Sequence, residues 1–402
     1  MVTTVTAADA KAVTAATART ADADVTNTTY MRTAIVILNW NTEGFLEKFL
    51  PPLLSSVSNI DGAEVIVADN ASTDGSLMVM KEKFPHVRTI AFDTNHGFTG
   101  GYNRALAEIE AEYYVLLNSD VEVTEGWLQP LIDWMEANPD CGICAPKIFS
   151  WHDKTMLEYA GGAGGHIDSY GYTFCRGRIM GMTEADNGQY DKYSNKVFWV
   201  SGACLMIRSG LYHELGGLDE RFFAHMDEVD LCWRLQLHGY SVCVVGDSAV
   251  YHVGGGTLPS SSPYKLFLNF RNNLLMLNKN SAKTLALMYS SMGFSPEVAS
   301  ATAMDKADRR ILWRMNLDIL ASLVYLVTFR FKAFCAVWKA LHEYRKMRDR
   351  ILLDDVIDFV NRTGKSEING IYRKSVISRA LFYGRKVFQK LEDKDFIKYH
   401  VR

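Results

Sequence analysis

The sequence predicts an α/β fold built on a mostly parallel sheet, followed by a C-terminal helical region. Three observations predict it. Across the first 150 residues, short apolar runs alternate with helical stretches, the pattern of a parallel sheet covered on both faces. Several runs deliver a polar residue at or just beyond their ends, at Asn39, Asp69, Asn95 and Asp120. From Tyr264 onward the pattern is helical, and the last quarter of the chain is basic.

The elements follow in order. "TAIVILNWN" is a buried strand that delivers Asn39 at its carboxyl end. "GFLEKFLPPLLSSV" is a helix kinked or broken at Pro51 and Pro52. "AEVIVADNAS" is a second strand, ending at Asp69, and "DGSLMVMKEKF" is a helix capped by Asp74 or Ser72. "VRTIAFD" is a third strand, and "TGGYNRALAEIEA" is a helix after a glycine-rich turn. "EYYVLLNSDVEV" is a fourth strand interrupted by Asn118, Ser119 and Asp120. In such sheets the ligand crevice lies at the carboxyl ends of the strands, so these polar residues converge on one rim. Beyond Ser150, "YAGGAGGHIDSYGYTFCRGRIMG" reads as a mobile loop or hairpin region. A strand and short helix, an acidic helix, and the strand "YSVCVVGDSAVYH" ending at His252 come next.

A chain of 402 residues with a formal net charge of −3 is not a general nucleic-acid binder. The charge is uneven: residues 301–402 hold 22 basic and 12 acidic residues, and the remainder 21 and 34. Seven scattered cysteines suggest a reducing compartment. Cys141 and Cys144 have redox-motif spacing but lead into a strand rather than a helix, and read as buried thiols. Residues 1–30 lack the apolar run of a signal peptide and read as a disordered Thr/Ala-rich arm. A catalytic unit at 31–260 and a basic helical region at 261–402 complete the expected organisation.

Locally, each candidate has an ordinary reading beside a functional one. Asp120 ends an apolar strand in a polar triplet, which serves a turn or a ligand. A lone His252 before three glycines is usually structural. "HGFTGGYN" is neither dinucleotide fingerprint nor Walker motif, yet it brings backbone close to a ligand before a helix N-terminus, which attracts phosphate. Asp227, Asp230 and Arg234 share one helical stripe, while Val229, Trp233 and Leu237 form an apolar one. Glu228 lies off both stripes, so neither packing nor pairing explains it, although acids do favour helix starts.

In order, "ILNWN", "VIVADNASTDGS", "NHGFTGGYNRAL", "VLLNSDVEV", "FWVSGACLMIR", "FFAHMDEVDLCWRLQLHGY" and "VYHVGGGT" resemble the family 2 glycosyltransferases, in particular their rhamnosyltransferase-like bacterial branch. The resemblance covers about Arg32 to Thr257. It implies the GT-A fold, a Rossmann-like sheet that binds nucleoside-diphosphate sugars. It implies that Asp69 contacts the donor base and that Asn39, Asn95, Gly97, Gly101, Asn103 and Asn118 line the donor side. Asn118 takes the place of the first Asp of the family's DxD motif. Asp120 and His252 would hold a divalent cation, Mn²⁺ or Mg²⁺, at the diphosphate. Asp227 and Glu228 match the family's acidic pair, whose second member is the general base; here it is Glu rather than the commoner Asp. Gly202, with Trp199, would border the acceptor pocket.

The implied function is an inverting, metal-dependent transfer of one sugar to a glycan or lipid-linked acceptor in cell-surface polysaccharide synthesis. A signature of processive synthases is missing. A nicotinamide-dependent oxidoreductase would carry a dinucleotide fingerprint after "AIVIL", and a sugar-nucleotide pyrophosphorylase a glycine- and lysine-rich loop there. A non-catalytic sugar-nucleotide or glycan-binding module would have no use for the acid pair and His252. The uncharged run Ile319 to Phe329 is too short to span a bilayer. A basic amphipathic helix there would lie on an anionic membrane surface; packing against the rest of the chain or a partner is the alternative. The expected location is cytoplasmic, peripheral on the inner face of the membrane.

Overall fold

The computed structural model describes residues 31–158, 161–191, 195–255, 262–364 and 366–401. The arm expected at 1–30 and the end of the "VYHVGGGT" motif, Thr257, lie outside them. Met31–Arg402 form one compact unit.

The chain begins β1 (Thr33–Asn39), α1 (Glu43–Val57), β2 (Ala63–Asp69), α2 (Ser76–Lys83), β3 (Arg88–Ala91), α3 (Gly97–Ala107), β4 (Tyr113–Asn118), β5 (Val121–Val123) and α4 (Gln129–Ala137). It continues with β6 (Cys141–Ser150) and four short strands, β7 (Gly165–Asp168), β8 (Thr173–Cys175), β9 (Arg178–Ile179) and β10 (Met182–Thr183). Then come β11 (Cys204–Arg208), α5 (Ser209–Glu214), α6 (Asp227–Leu237) and β12 (Ser241–His252). Four helices follow, α7 (Pro263–Ser291), α8 (Pro296–Val327), α9 (Phe331–Met347) and α10 (Leu353–Arg362), before β13 (Ser366–Tyr372), α11 (Val376–Tyr383) and β14 (Phe396–Val401).

The main sheet has the order β3-β2-β1-β4-β11-β6-β12-β5. β3, β2, β1 and β4 run parallel, β11 runs antiparallel to β4 and β6, and β12 is parallel to β6. Alternation sorts β1 between two cores: Ala34 and Val36 enter one, Ile35 and Ile37 the other. Strands buried on both faces have no polar alternation, which is why these runs read as continuously apolar.

Three expectations change. The first helix is continuous through Pro51 and Pro52. Both prolines are exposed, and Leu46, Leu50, Leu53 and Val57 hold the helix on the sheet across the interrupted hydrogen bonds. α2 takes Gly75 as its N-cap; Asp74 instead accepts a hydrogen bond from the Ser76 amide at 3.0 Å. The C-terminal region is not wholly helical. β13 pairs parallel with β7 and antiparallel with β14, completing a second sheet of order β10-β9-β8-β7-β13-β14. The glycine-rich segment expected to be loop or hairpin supplies three antiparallel strands of that sheet, β7, β8 and β9.

The long helices lock onto both sheets. Arg314 of α8 pairs with Asp318 at 2.8 Å, donates to the Gly171 carbonyl at 3.1 Å and lies 3.8 Å from the Tyr172 ring centroid. Cys141 and Cys144 are buried free thiols.

Candidate active site

Parallel register builds the rim. Asn39 stands opposite Asp69, and Leu38 opposite Asn118, so three strand ends finish level. The Asn39 amide donates to Asp69 Oδ2 at 2.8 Å and to Ser72 Oγ at 3.1 Å, while Asp69 Oδ1 accepts the Ser72 amide at 2.8 Å. Thr42 Oγ1 joins Asn39 Oδ1 to Ser119 Oγ. Asn39 and Asp69 are buried, and Asn118 is half-buried at the edge.

Asn70, which the sequence reading passed over, shapes the glycine turn. Its Nδ2 donates to Asn95 Oδ1 and the Gly97 carbonyl, and its Oδ1 accepts the His96 amide. Asn95 Oδ1 in turn accepts the Gly97 amide at 2.7 Å. Gly97 has φ +73°, and a Cβ there would lie 2.4 Å from the Phe223 ring. The amides of Phe98 and Thr99 both donate to the Phe223 carbonyl, at 2.8 and 3.2 Å. The phosphate site expected at this helix N-terminus is therefore corrected: a backbone carbonyl occupies these donors.

Gly101 and Asn103 are corrected too. A Cβ on Gly101 would fall 2.8 Å from Leu38, so this glycine permits helix-on-strand packing. Asn103 binds the Leu218 backbone through both side-chain atoms and accepts the Tyr212 hydroxyl at 2.6 Å. Trp199 is likewise buried, and its indole N–H is spent on the His166 carbonyl at 3.0 Å. The Asn103 amide and the Trp199 indole N–H are thus bonded within the chain.

Asp120 and His252 come together because β5 pairs with the end of β12, setting Val121 opposite His252. His252 Nε2 lies 3.2 Å from Asp120 Oδ1, and Nδ1 lies 3.6 Å from Glu158 Oε1. Burial disfavours the imidazolium, but the two carboxylates outweigh it and push the His252 pKa up to about 10. An aspartate oxygen and an imidazole nitrogen suit a divalent cation as a two-residue ligand set once the cation displaces the imidazolium proton, since only the neutral imidazole ligates. No cluster of three or more protein donors is present among the described residues, so the remaining ligands would come from a bound diphosphate. Lys265 sits nearby: burial lowers its pKa, Arg178 adds to that, and Glu158 and Asp120 oppose it.

The acid pair opens α6. Phe223, His225 and the N-cap Met226 have φ of 64°, 70° and 66°, strained values for side-chain-bearing residues. Helix α7 holds this turn. Asn272 Nδ2 lies within donating distance of the Phe222, Ala224 and His225 carbonyls, at 2.9, 2.8 and 2.9 Å. Arg271 Nη2 donates to the Arg221 and Phe222 carbonyls. Neither residue was singled out from the sequence; the signal was "RNN" inside an apolar helical stretch.

The three acids then part company. Asp230 pairs with Arg234 at 2.7 Å and Lys279 at 3.0 Å, and accepts from Asn280 at 2.8 Å. Despite full burial, these partners hold its pKa below the usual value. Asp227 is 1% exposed, and the side chain it interacts with is the adjacent Glu228. Burial first, and the charge of Glu228 second, drive its pKa well up. Glu228 is half-buried, and burial pushes it up to about 7. A Cβ on Gly202 would sit 3.6 Å from Glu228 Cβ and 3.5 Å from the Phe98 ring. Gly202 thus lies beside Glu228 and the Phe98 ring.

Residues 34–185 match the family model described as Glycosyl transferase family 2. The N-acetylglucosaminyl-diphospho-decaprenol L-rhamnosyltransferase of Mycobacterium tuberculosis is 27% identical over 236 residues, covering 54% of this chain and 75% of that one. Rhamnosyltransferase WbbL of Escherichia coli is 22% identical over 215 residues, covering 51% and 77%. Among solved structures, GalNAc-T7 with UDP, GalNAc and Mn²⁺ gives a TM-score of 0.46 at 15% identity, covering 62% of this chain and 48% of that one.

Proposed function

We propose that this chain, whose residues 34–185 match the family 2 glycosyltransferase model and whose sequence is similar to rhamnosyltransferases, is a glycosyltransferase that moves one sugar, with inversion, from a nucleoside diphosphate to a hydroxyl of a glycan or lipid-linked acceptor. The observation that carries this reading is the split within the acid pair. Asp227 is buried, and burial and the charge of Glu228 drive its pKa well up, while Glu228, beside Gly202, has its own pKa pushed up to about 7.

A base must be ionised before it can accept a proton, and it works best when its pKa lies near the working pH. Glu228 meets both conditions. It takes the acceptor hydroxyl proton as that oxygen attacks the anomeric carbon. The opposite bond to the diphosphate breaks, so the configuration inverts. The raised pKa of Asp227 disfavours a second negative charge beside Glu228. Asn39 and Asp69 fix the donor rim by bonding each other and the β2–α2 turn, with Asn118 at its edge. A divalent cation, Mn²⁺ or Mg²⁺, held by Asp120 and His252 would neutralise charge on the departing diphosphate. The rhamnosyltransferase relatives make a deoxyhexose donor and a polyprenyl diphosphate-linked sugar the first pair to assay, with a place in cell-surface polysaccharide synthesis.

The test is turnover of a panel of nucleoside-diphosphate sugars with defined acceptors, with the product's anomeric configuration read by NMR. A product of inverted configuration is expected. Tight donor binding without turnover on any acceptor would replace the enzyme by a binding module, and retained configuration would exclude the single displacement.

A further inference from the structure

We propose that the turn between α8 and α9 is a docking surface for an anionic lipid bilayer. Leu320, Val324 and Val327 are exposed at i, i+4 and i+7 on α8, on the face opposite the buried Asp318 and Ser322. Phe329, Phe331 and Trp338 extend this apolar surface across the turn onto α9. Val327 is 71% and Phe329 80% exposed, at a place where a folded protein has no internal reason to leave large side chains in water.

The charge around these side chains selects the partner. Between Asp318 and Glu343 there is no acidic residue, while Arg330, Lys332 and Lys339 are present and exposed. A second copy of the chain is the poorer occupant. Across a two-fold interface the patch meets itself, and three cations without a counter-charge would face their own copies. A surface that is apolar within and negative at its headgroups satisfies both halves of the patch. Among the described residues no helix is long and apolar enough to cross a membrane, so the contact is peripheral.

The position of the hairpin gives the contact a use. Ala336 and Ala340 of α9 pack in one cluster with Phe267 and Leu268, and against Phe223 and Ala224 of the strained turn before the acid pair. Docking through α9 therefore loads a helix that packs, on its other face, in the same cluster as the turn before the acid pair. That consequence rests on the sugar-transfer reading. Vesicle binding does not, so the two fail separately.

The experiment is flotation of the full-length protein with vesicles of phosphatidylcholine alone or with 30% phosphatidylglycerol (roughly the anionic content that sets a negative surface potential). The expected result is recovery with the anionic vesicles at low salt, much less with neutral ones, and release as salt rises. Each cation near such a surface contributes about fivefold in affinity. Arg330→Glu with Lys332→Glu should therefore lower binding by about 25-fold or more, and Phe329→Asp should also release the protein. Both variants alter exposed side chains, so thermal melting and turnover on a soluble acceptor should stay at the wild-type level. Equal recovery of wild type and variants, or no flotation at any lipid composition, overturns the proposal. Sedimentation showing a dimer that Phe329→Asp dissociates would assign the patch to a second copy instead.

Discussion

Replacing Glu228 by Gln tests the assignment of the base in two independent ways. The carboxyl titrates near 7 in the folded chain, against an ordinary 4.5, because burial penalises its charge. A folded-state pKa above the unfolded one means that the native state binds the proton more tightly. Stability from this group is complete at low pH and is lost as pH rises from 4.5 to about 7. At 1.36 kcal/mol per pH unit that gap is about 3 kcal/mol, which the half-exposed position of the side chain reduces to about 2 kcal/mol. Glu228→Gln keeps the shape and removes the charge. At pH 8 it should melt about 2–4 °C above wild type, and the advantage should vanish by pH 4. Turnover should fall by about a hundredfold or more with donor affinity retained. In the wild type, turnover should rise about tenfold between pH 6 and pH 8, as the ionised fraction goes from about one-tenth to nine-tenths. Differential scanning calorimetry and a pH–rate profile are the assays. Near-normal turnover in Glu228→Gln, together with loss in Asp227→Asn, would move the base to Asp227. A variant less stable than wild type at pH 8 would refute the burial argument itself.

Other residues give sharper separations of structure from chemistry. Asn272→Ala withdraws the side chain shared by three backbone carbonyls of the strained turn; it should cost about 2–4 kcal/mol in chemical denaturation and lower turnover more than donor affinity. Gly97→Ala forces a side chain into positive φ against the Phe223 ring and should destabilise by about 1–3 kcal/mol, read by thermal melting. Asn103→Ala should lose stability and leave donor affinity unchanged in calorimetric titration, since its bonds go to Leu218 and Tyr212. Asp120→Ala and His252→Ala should each weaken donor binding in the presence of Mn²⁺ while leaving the melting curve cooperative; full wild-type activity in excess chelator would exclude the ion.

The sequence by itself determined the layered fold and the rim of the site. Apolar runs that end at Asn39, Asp69 and Asn118 can only be strands buried on both faces, and parallel register then places those ends side by side. It also singled out Glu228, because a carboxylate off both helical stripes has no packing reason to be there. Tertiary structure decided what each polar side chain is spent on. Gly101, Asn103 and Trp199 sit in motifs that look like ligand contacts, yet they are consumed by Leu38, Leu218 and the His166 carbonyl, partners that are distant in sequence. The clamp of Arg271 and Asn272 on the turn before the acids joins residues about fifty positions apart, so no local pattern announces it. β13 is a strand because β7 offers it an edge, and β14 pairs with β13 in turn, a long-range condition that helical periodicity nearby obscures. Burial likewise separates three neighbouring acids into an ion-paired Asp230, an Asp227 whose pKa burial drives well up and a Glu228 pushed up to about 7, since a pKa depends on surroundings that only the folded chain assembles.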